Sequence, residues 1–366
     1  MSIPANCRTT AMGIMPHTDI DRALNLARSL DIPFWPQLPN VSFFEDMYAQ
    51  ASEHFPGIRI DAVEQKVLFD TSRFAEELMS YAAICDQDET SSLTEKYSVV
   101  YRRFLAQDLR RHAAVRGQMI GPVSFGFRAV DETLRPVIYD DEVRTLMFDF
   151  VQKKVNLQYR ELAARNSNAF VWLDEPGLGW VFSAMSGYTD VAAKIDYGSF
   201  LEGIEGPKAL HLCANINLPY LLGLDLDLLS FDAYQIGSMP LEYVRAIGEF
   251  LKRGGILSWG IVPTDSENIA EESAEKLAVR LRQTWEKISV NCAIEPERVA
   301  AQALIAPARC CLKNAGKVGS ADDVKGPGAG GARVSSDEER IVETAFAVCG
   351  QLSTILQQIY GLAADS

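Results

Sequence analysis

Eight short apolar runs recur along the chain, each closed by a polar residue or by Gly or Pro: 10–15, 34–38, 117–122, 169–174, 209–213, 228–232, 256–262 and 302–306. Runs of this length without alternation read as strands buried on both faces. Longer stretches with apolar residues at helical spacing separate most of them: 19–29, 140–164, 241–253 and 268–288. The first opens on Thr18 or Asp19 as a cap, and the last begins acidic and ends basic, as the helix dipole prefers. Eight strands alternating with helices predict an α/β fold, a TIM (β/α)8 barrel. No Gly-x-Gly-x-x-Gly follows any of the runs, which speaks against a doubly wound dinucleotide fold. Residues 1–366 therefore read as one barrel domain. Segment 57–70 reads as a hairpin excursion. Segment 316–336, rich in Gly, Ser and Asp, reads as a mobile surface loop, with a lid over the site as its rival. A closing helix follows over 337–361.

In such a barrel, functional side chains stand at the C-terminal ends of the strands. Here those ends carry Pro16-His17, Gln37, Asp174-Glu175-Pro176, His211-Leu212-Cys213, Asp232 and Cys310. On a strand, residues i and i+2 point to one face, so His211 and Cys213 converge. An imidazole and a thiol are both good zinc ligands. A third soft ligand is Cys310, or Cys311 if the spacing slips by one. The 97 residues from Cys213 to Cys310 are too many for a zinc finger, whose ligands cluster locally. They suit a catalytic zinc gathered from separate strands. The rival is a packed histidine beside a core cysteine.

A net charge of −14 disfavours nucleic acid and anionic membranes as partners. No apolar run approaches the ~20 residues of a membrane span. The segment Met1-Ser2-Ile3-Pro4-Ala5-Asn6 has neither the charged nor the apolar region of a secretory signal. Seven cysteines in 366 residues read as reduced thiols of a cytoplasmic protein.

Several segments together resemble the catalytic C-terminal barrel of cobalamin-independent methionine synthase, within the uroporphyrinogen decarboxylase-like superfamily. Gly13-Ile14-Met15-Pro16 resembles its N-terminal Gly-Ser-x-Pro turn. Gly121-Pro122-Val123-Ser124 resembles its Gly-Pro-Val-Thr. Trp172-Leu173-Asp174-Glu175-Pro176 resembles its Asp-Glu-Pro strand end, and His211-x-Cys213 its zinc-binding His-x-Cys. Asp232 stands where the family has a glutamate ligand, and Cys310-Cys311-Leu312 resembles its Cys-Gly-Leu. The resemblance runs in order from Thr10 to Leu312. It implies zinc held by His211, Cys213, Asp232 and Cys310. It also implies contacts to substrate from Met12, Gly13, Ile14 and Asp174, with Gln50 near the family's second acidic contact.

The departures are informative. The chain is one barrel long, where the full synthase has two. The family's folate-stacking Trp falls near Arg128 and its folate-contacting Glu at Trp180. Pro263-Thr264 stands where the family has its proton-donor His. The thiol end is retained and the folate end is lost, as in the short, core-only synthases. The resemblance therefore implies methyl transfer to homocysteine, giving methionine, with a methylcorrinoid as donor and a corrinoid carrier protein as a possible partner. A corrinoid-linked methyltransferase for another thiol, such as coenzyme M, has the same zinc pattern. A non-catalytic zinc or corrinoid binder is a further rival. A metal-free decarboxylase would need Arg near its N-terminal strand, and 33–38 has none.

Overall fold

The computed structural model describes residues 3–183, 186–213, 217–311 and 331–362. Its strands are β1 (Arg8–Thr9), β2 (Ile58–Asp61), β3 (Lys66–Phe69), β4 (Val115–Ile120), β5 (Ala169–Asp174), β6 (Lys208–Leu212), β7 (Leu228–Asp232), β8 (Ile256–Val262) and β9 (Ala303–Pro307). Seven of them form a sheet in the order β1-β9-β8-β7-β6-β5-β4, and β2 pairs with β3. The chain is thus α/β, with each sheet strand from β4 onward lying beside its successor in sequence. It divides into two compact units: one holds residues 42–230 with a few N-terminal residues, the other residues 5–41 and 231–366.

In the first unit, β4 pairs in parallel with β5 from Val115↔Ala169 to Ile120↔Asp174. β5 pairs in parallel with β6 from Val171↔Lys208 to Asp174↔His211. Every residue of β4 and β5 is buried, as expected of strands covered on both faces. The crossover from β4 to β5 includes the helix Asp141–Ala163, capped by Asp140, whose Oδ1 accepts from the backbone N–H of Glu142 and Val143. It buries Val143, Met147, Phe150, Val151, Val155 and Leu162 at the three-to-four-residue spacing of one helical face. The segment read as a hairpin is one: β2 and β3 are antiparallel, Ile58 opposite Phe69 and Asp61 opposite Lys66.

In the second unit, β1 pairs with β9, Arg8↔Leu304 and Thr9↔Ile305, and β9 pairs with β8. The first strand thus lies parallel to the last. Helix Ile20–Arg28 is capped by Asp19, which accepts from Asp21 and Arg22 N–H. Thr18, the other candidate for that cap, does not serve as one.

Two runs differ from expectation. The first forms strand only at Arg8–Thr9, upstream of 10–15, followed by a single parallel bridge from Ile14 to Gln37. Run 34–38 forms no strand; it contributes isolated bridges at Phe34 and Gln37. Pro33 precedes it and Pro36 interrupts it, and a proline has no N–H to give a ladder. Stretch 268–288 also divides, into Ser266–Glu271 and Ala274–Cys292, each with its own cap, Asp265 and Ser273. Of the Gly-rich segment, residues 316–330 lie outside the described residues. Residues 331–336, expected as loop, are already helical, within Gly331–Tyr360.

Candidate active site

The ends of β4 and β5 are locked together by one carboxylate. Glu175 follows the last residue of β5, and neighbours on a strand point oppositely. Its Oε1 accepts from Val123 N–H (3.0 Å), and its Oε2 from Ser124 N–H (2.9 Å) and Ser124 Oγ (2.5 Å). Ser124 Oγ in turn accepts from Gly177 N–H at 2.8 Å. These donors open the helix Pro122–Arg128, whose first N–H groups have no partner within the helix. The approach is close enough to require glycine at two places. A Cβ on Gly121 would stand 2.1 Å from Glu175 Oε1, and one on Gly177 2.9 Å from the Ser124 backbone. Gly-Pro-Val-Ser and Asp-Glu-Pro-Gly are therefore two halves of one clasp. Burial pushes the Glu175 carboxyl up to about 7, against the pull of its Ser124 and Val123 hydrogen bonds.

The other face of these strands carries a buried polar row. Register places Gln118 beside Trp172 and Trp172 beside Ala209, then Ile120 beside Asp174 and Asp174 beside His211. With two-residue periodicity, Arg116, Gln118, Trp172, Asp174 and His211 share that face. The Arg116 guanidinium lies 4.4 Å from the Trp172 ring centroid. The Trp172 and His211 rings lie 5.3 Å apart. Arg116 Nη1 donates to Gly117 O and to Gln118 Oε1. Burial lowers Arg116 to about 9 although Asp174 favours its charge. Burial raises Asp174 to about 7, opposed by Arg116 and then by the Trp172 indole.

His211 is buried, and its Nδ1 is 3.0 Å from Ser230 Oγ. Burial, and then the nearby Arg116 charge, lower its pKa to about 3, so the ring is neutral. With Nδ1–H given to Ser230, Nε2 carries a lone pair. That Nε2 is buried and has no hydrogen-bond partner, an arrangement that ordinarily costs about 1–3 kcal/mol. A hydrogen bond on one ring nitrogen and a bare lone pair on the other is how proteins hold histidine as a metal ligand. Cys213 is half-buried one residue beyond β6.

Gln50 lies in the helix Met47–Ser52, fully buried. Its Nε2 donates to Glu45 Oε2 (3.2 Å) and Tyr97 O (3.1 Å), and Glu45 also accepts from Ser98 Oγ and Val100 N–H. The same helix start carries Tyr48, whose hydroxyl is pushed up by burial and then by Asp46, with Glu175 and Asp174 adding to it.

In the second unit, Met12, Gly13 and Ile14 are buried. The Gly13 carbonyl accepts from Gln37 N–H at 2.8 Å. Asp232 ends β7 and caps the turn after it: Oδ1 accepts from Gln235 N–H (3.0 Å), and Oδ2 pairs with Arg309 Nε at 3.1 Å. A metal on Asp232 would compete with both. Cys310 is exposed. Cys311 is fully buried, its thiol directed to Arg309 O and pushed well up by burial. His17 is buried with neither ring nitrogen hydrogen-bonded, its Nε2 4.0 Å from Glu343.

Among the described residues, no three His, Cys, Asp or Glu side chains are gathered as a metal site. The histidine donor fits a metal; the Asp232 carboxylate is engaged elsewhere. Arg116 and Ser230 were not singled out from the sequence. Period-two counting back from Ile120 reaches Arg116, which was placed outside the run.

No family model matches the chain, and no curated protein does. Among solved structures it is similar to a methyltransferase from Methanosarcina mazei, 13% identical over 96% of this chain and 94% of that one, TM-score 0.51. That likeness shows a shared fold. A B12-independent methionine synthase from Shewanella sp. W3-18-1, in complex with selenomethionine, is 14% identical over 68% of this chain, TM-score 0.43. The chain spans 64% of that synthase's length. No helix among the described residues is long and apolar enough to cross a membrane.

Proposed function

We propose that this protein is a zinc-dependent methyltransferase on a (β/α)8 barrel, moving a methyl group to a thiol, homocysteine, to give methionine. The observation that carries this conclusion is the buried, unpartnered Nε2 of His211, its ring fixed through Nδ1 by Ser230, two residues before Cys213. His211, Cys213 and Cys310 would hold the ion. Cys310 is the better of the paired cysteines because its neighbour's thiol is buried. Bound zinc deprotonates a coordinated thiol, which makes it a nucleophile at neutral pH.

The chain's own residues do the rest. Asp174, register partner of His211, would receive the acceptor's ammonium group, and that second charge would favour its ionised form. The backbone of Met12, Gly13 and Ile14 would contact the acceptor, with Gln50 as a further contact. The sulfur–carbon bond forms as the bond from carbon to its donor breaks. No histidine follows β8, where Pro263-Thr264 stands. The donor we infer is accordingly a methylcorrinoid, delivered by a carrier protein, because its leaving group needs no proton.

A second acceptor is favoured by Arg116. A buried cation on the face of Asp174 suits a thiol with an anionic tail, such as coenzyme M. Zinc analysis of wild type, Cys213→Ser and Cys310→Ser tests the proposal, with demethylation of methylcobalamin followed under homocysteine or coenzyme M. About one zinc per chain, lost in both variants together with transfer, is expected. A wild type that takes up no zinc under reducing conditions refutes it.

A further inference from the structure

The hairpin of the first unit walls a cleft of about 510 Å³, within the size range of small-molecule sites. Phe44, Lys96 and Tyr97 line it on one side, Arg59, Arg73 and Glu77 on another. None of them belongs to the candidate active site.

Its charge is opposite to that of the chain. Glu77 is the one carboxylate among these lining residues, and it is saturated: Oε1 accepts from Arg73 Nε at 2.6 Å and Oε2 from Gly57 N–H at 2.9 Å. Among the described residues, neither Arg59 nor Lys96 pairs with a carboxylate. Lys96 is held instead over two rings, its Nζ 4.9 Å from the Phe44 centroid and 5.4 Å from that of Tyr97. The two rings meet edge to face at 5.0 Å. Such contacts orient an ammonium group without neutralising it. With three cations against one paired carboxylate, the cleft is locally positive on a chain of net charge −14. Unlike charges scattered on a surface, these cations face one concavity beside part-exposed aromatic rings.

We propose that this cleft binds a small phosphate ester carrying a flat ring, of the mononucleotide class. The phosphate would lie between Arg59, Lys96 and the guanidinium of Arg73, whose planar fork suits phosphate oxygens. The ring would pack on Phe44 and Tyr97. The site is independent of the zinc chemistry.

Adenosine 5′-monophosphate, inorganic phosphate and adenosine, titrated separately by calorimetry into the full-length protein, test this. The expected result is saturable binding of the nucleotide, tighter than either fragment and weakened by salt. Arg59→Gln and Lys96→Gln should each weaken it about tenfold. Lys66→Gln, on the hairpin but outside the cleft and paired with Glu64, should leave it unchanged. Circular dichroism of each variant verifies the fold. Adenosine binding as tightly as the nucleotide overturns the anion site, and inorganic phosphate doing so overturns the ligand class. Absence of saturation up to about 10 mM, a free energy near 3 kcal/mol, overturns the proposal, as does nucleotide binding unaffected by Arg59→Gln and Lys96→Gln.

Discussion

Replacing Asp174 by Asn should make the protein more stable at pH 8 and change little in strong acid. Burial raises this carboxyl from 3.8 to about 7. A carboxyl raised in the folded state binds its proton more tightly there than in the unfolded chain. Its stabilising contribution is full below the unfolded value and is lost as pH rises through the folded one. Ionising it inside the fold costs about 4 kcal/mol, at about 1.4 kcal/mol per tenfold change in acidity. Between pH 5 and pH 8, roughly 2.5 kcal/mol of that should be lost by the wild type and kept by the variant. Asn is isosteric with the protonated side chain. Glu175, also raised to about 7, titrates in both proteins and cancels from the difference. Urea unfolding of both proteins at pH 5, 6, 7 and 8 measures the gap directly. Curves that run parallel across that range would show that Asp174 carries no such burden, and the electrostatic account of the polar row would be wrong.

Glu175→Ala should cost about 3–5 kcal/mol, because it leaves the buried donors of Val123 and Ser124 without an acceptor, whereas Glu175→Gln should cost less; denaturant midpoints compare them. Gly177→Ala should destabilise by pressing a Cβ against the Ser124 backbone, seen as a lower melting temperature. Ser230→Ala should leave the fold intact and weaken zinc binding about 10–100-fold, read by competition with a chelating dye. Cys311→Ser should retain zinc where Cys310→Ser loses it.

The sequence carries much of this architecture at its strand ends. Runs 169–174, 228–232 and 256–262 coincide with β5, β7 and β8, because a strand buried on both faces must be apolar nearly throughout. Run 34–38 looks equally apolar, yet forms only isolated bridges, at Phe34 and Gln37. Its prolines outweigh its hydrophobicity, a conflict that a pattern of apolar residues does not register. Arg116 escaped notice for the opposite reason. Arginine is expected at the surface, and only register places it inside, over Trp172. The clasp at Glu175 was legible as two separate motifs. That one side chain joins them depends on a contact across 51 residues, which local sequence does not encode. Asp232 was read for its strand-end position, which it has; the partner that occupies it, Arg309, is a tertiary fact.

The pairing of β1 with β9 sets a schedule for the newborn chain. Arg8 meets Leu304, so the first strand has no partner until nearly 300 further residues have been made. At roughly 5–20 residues per second that is about 15–60 s. During that interval the opening strand, its backbone bonds to Ala303 and Ile305 still unmade, has yet to meet β9. An emerging chain of this kind is a natural client for chaperones, and a premature stop before β9 would leave its opening strand permanently without its neighbour.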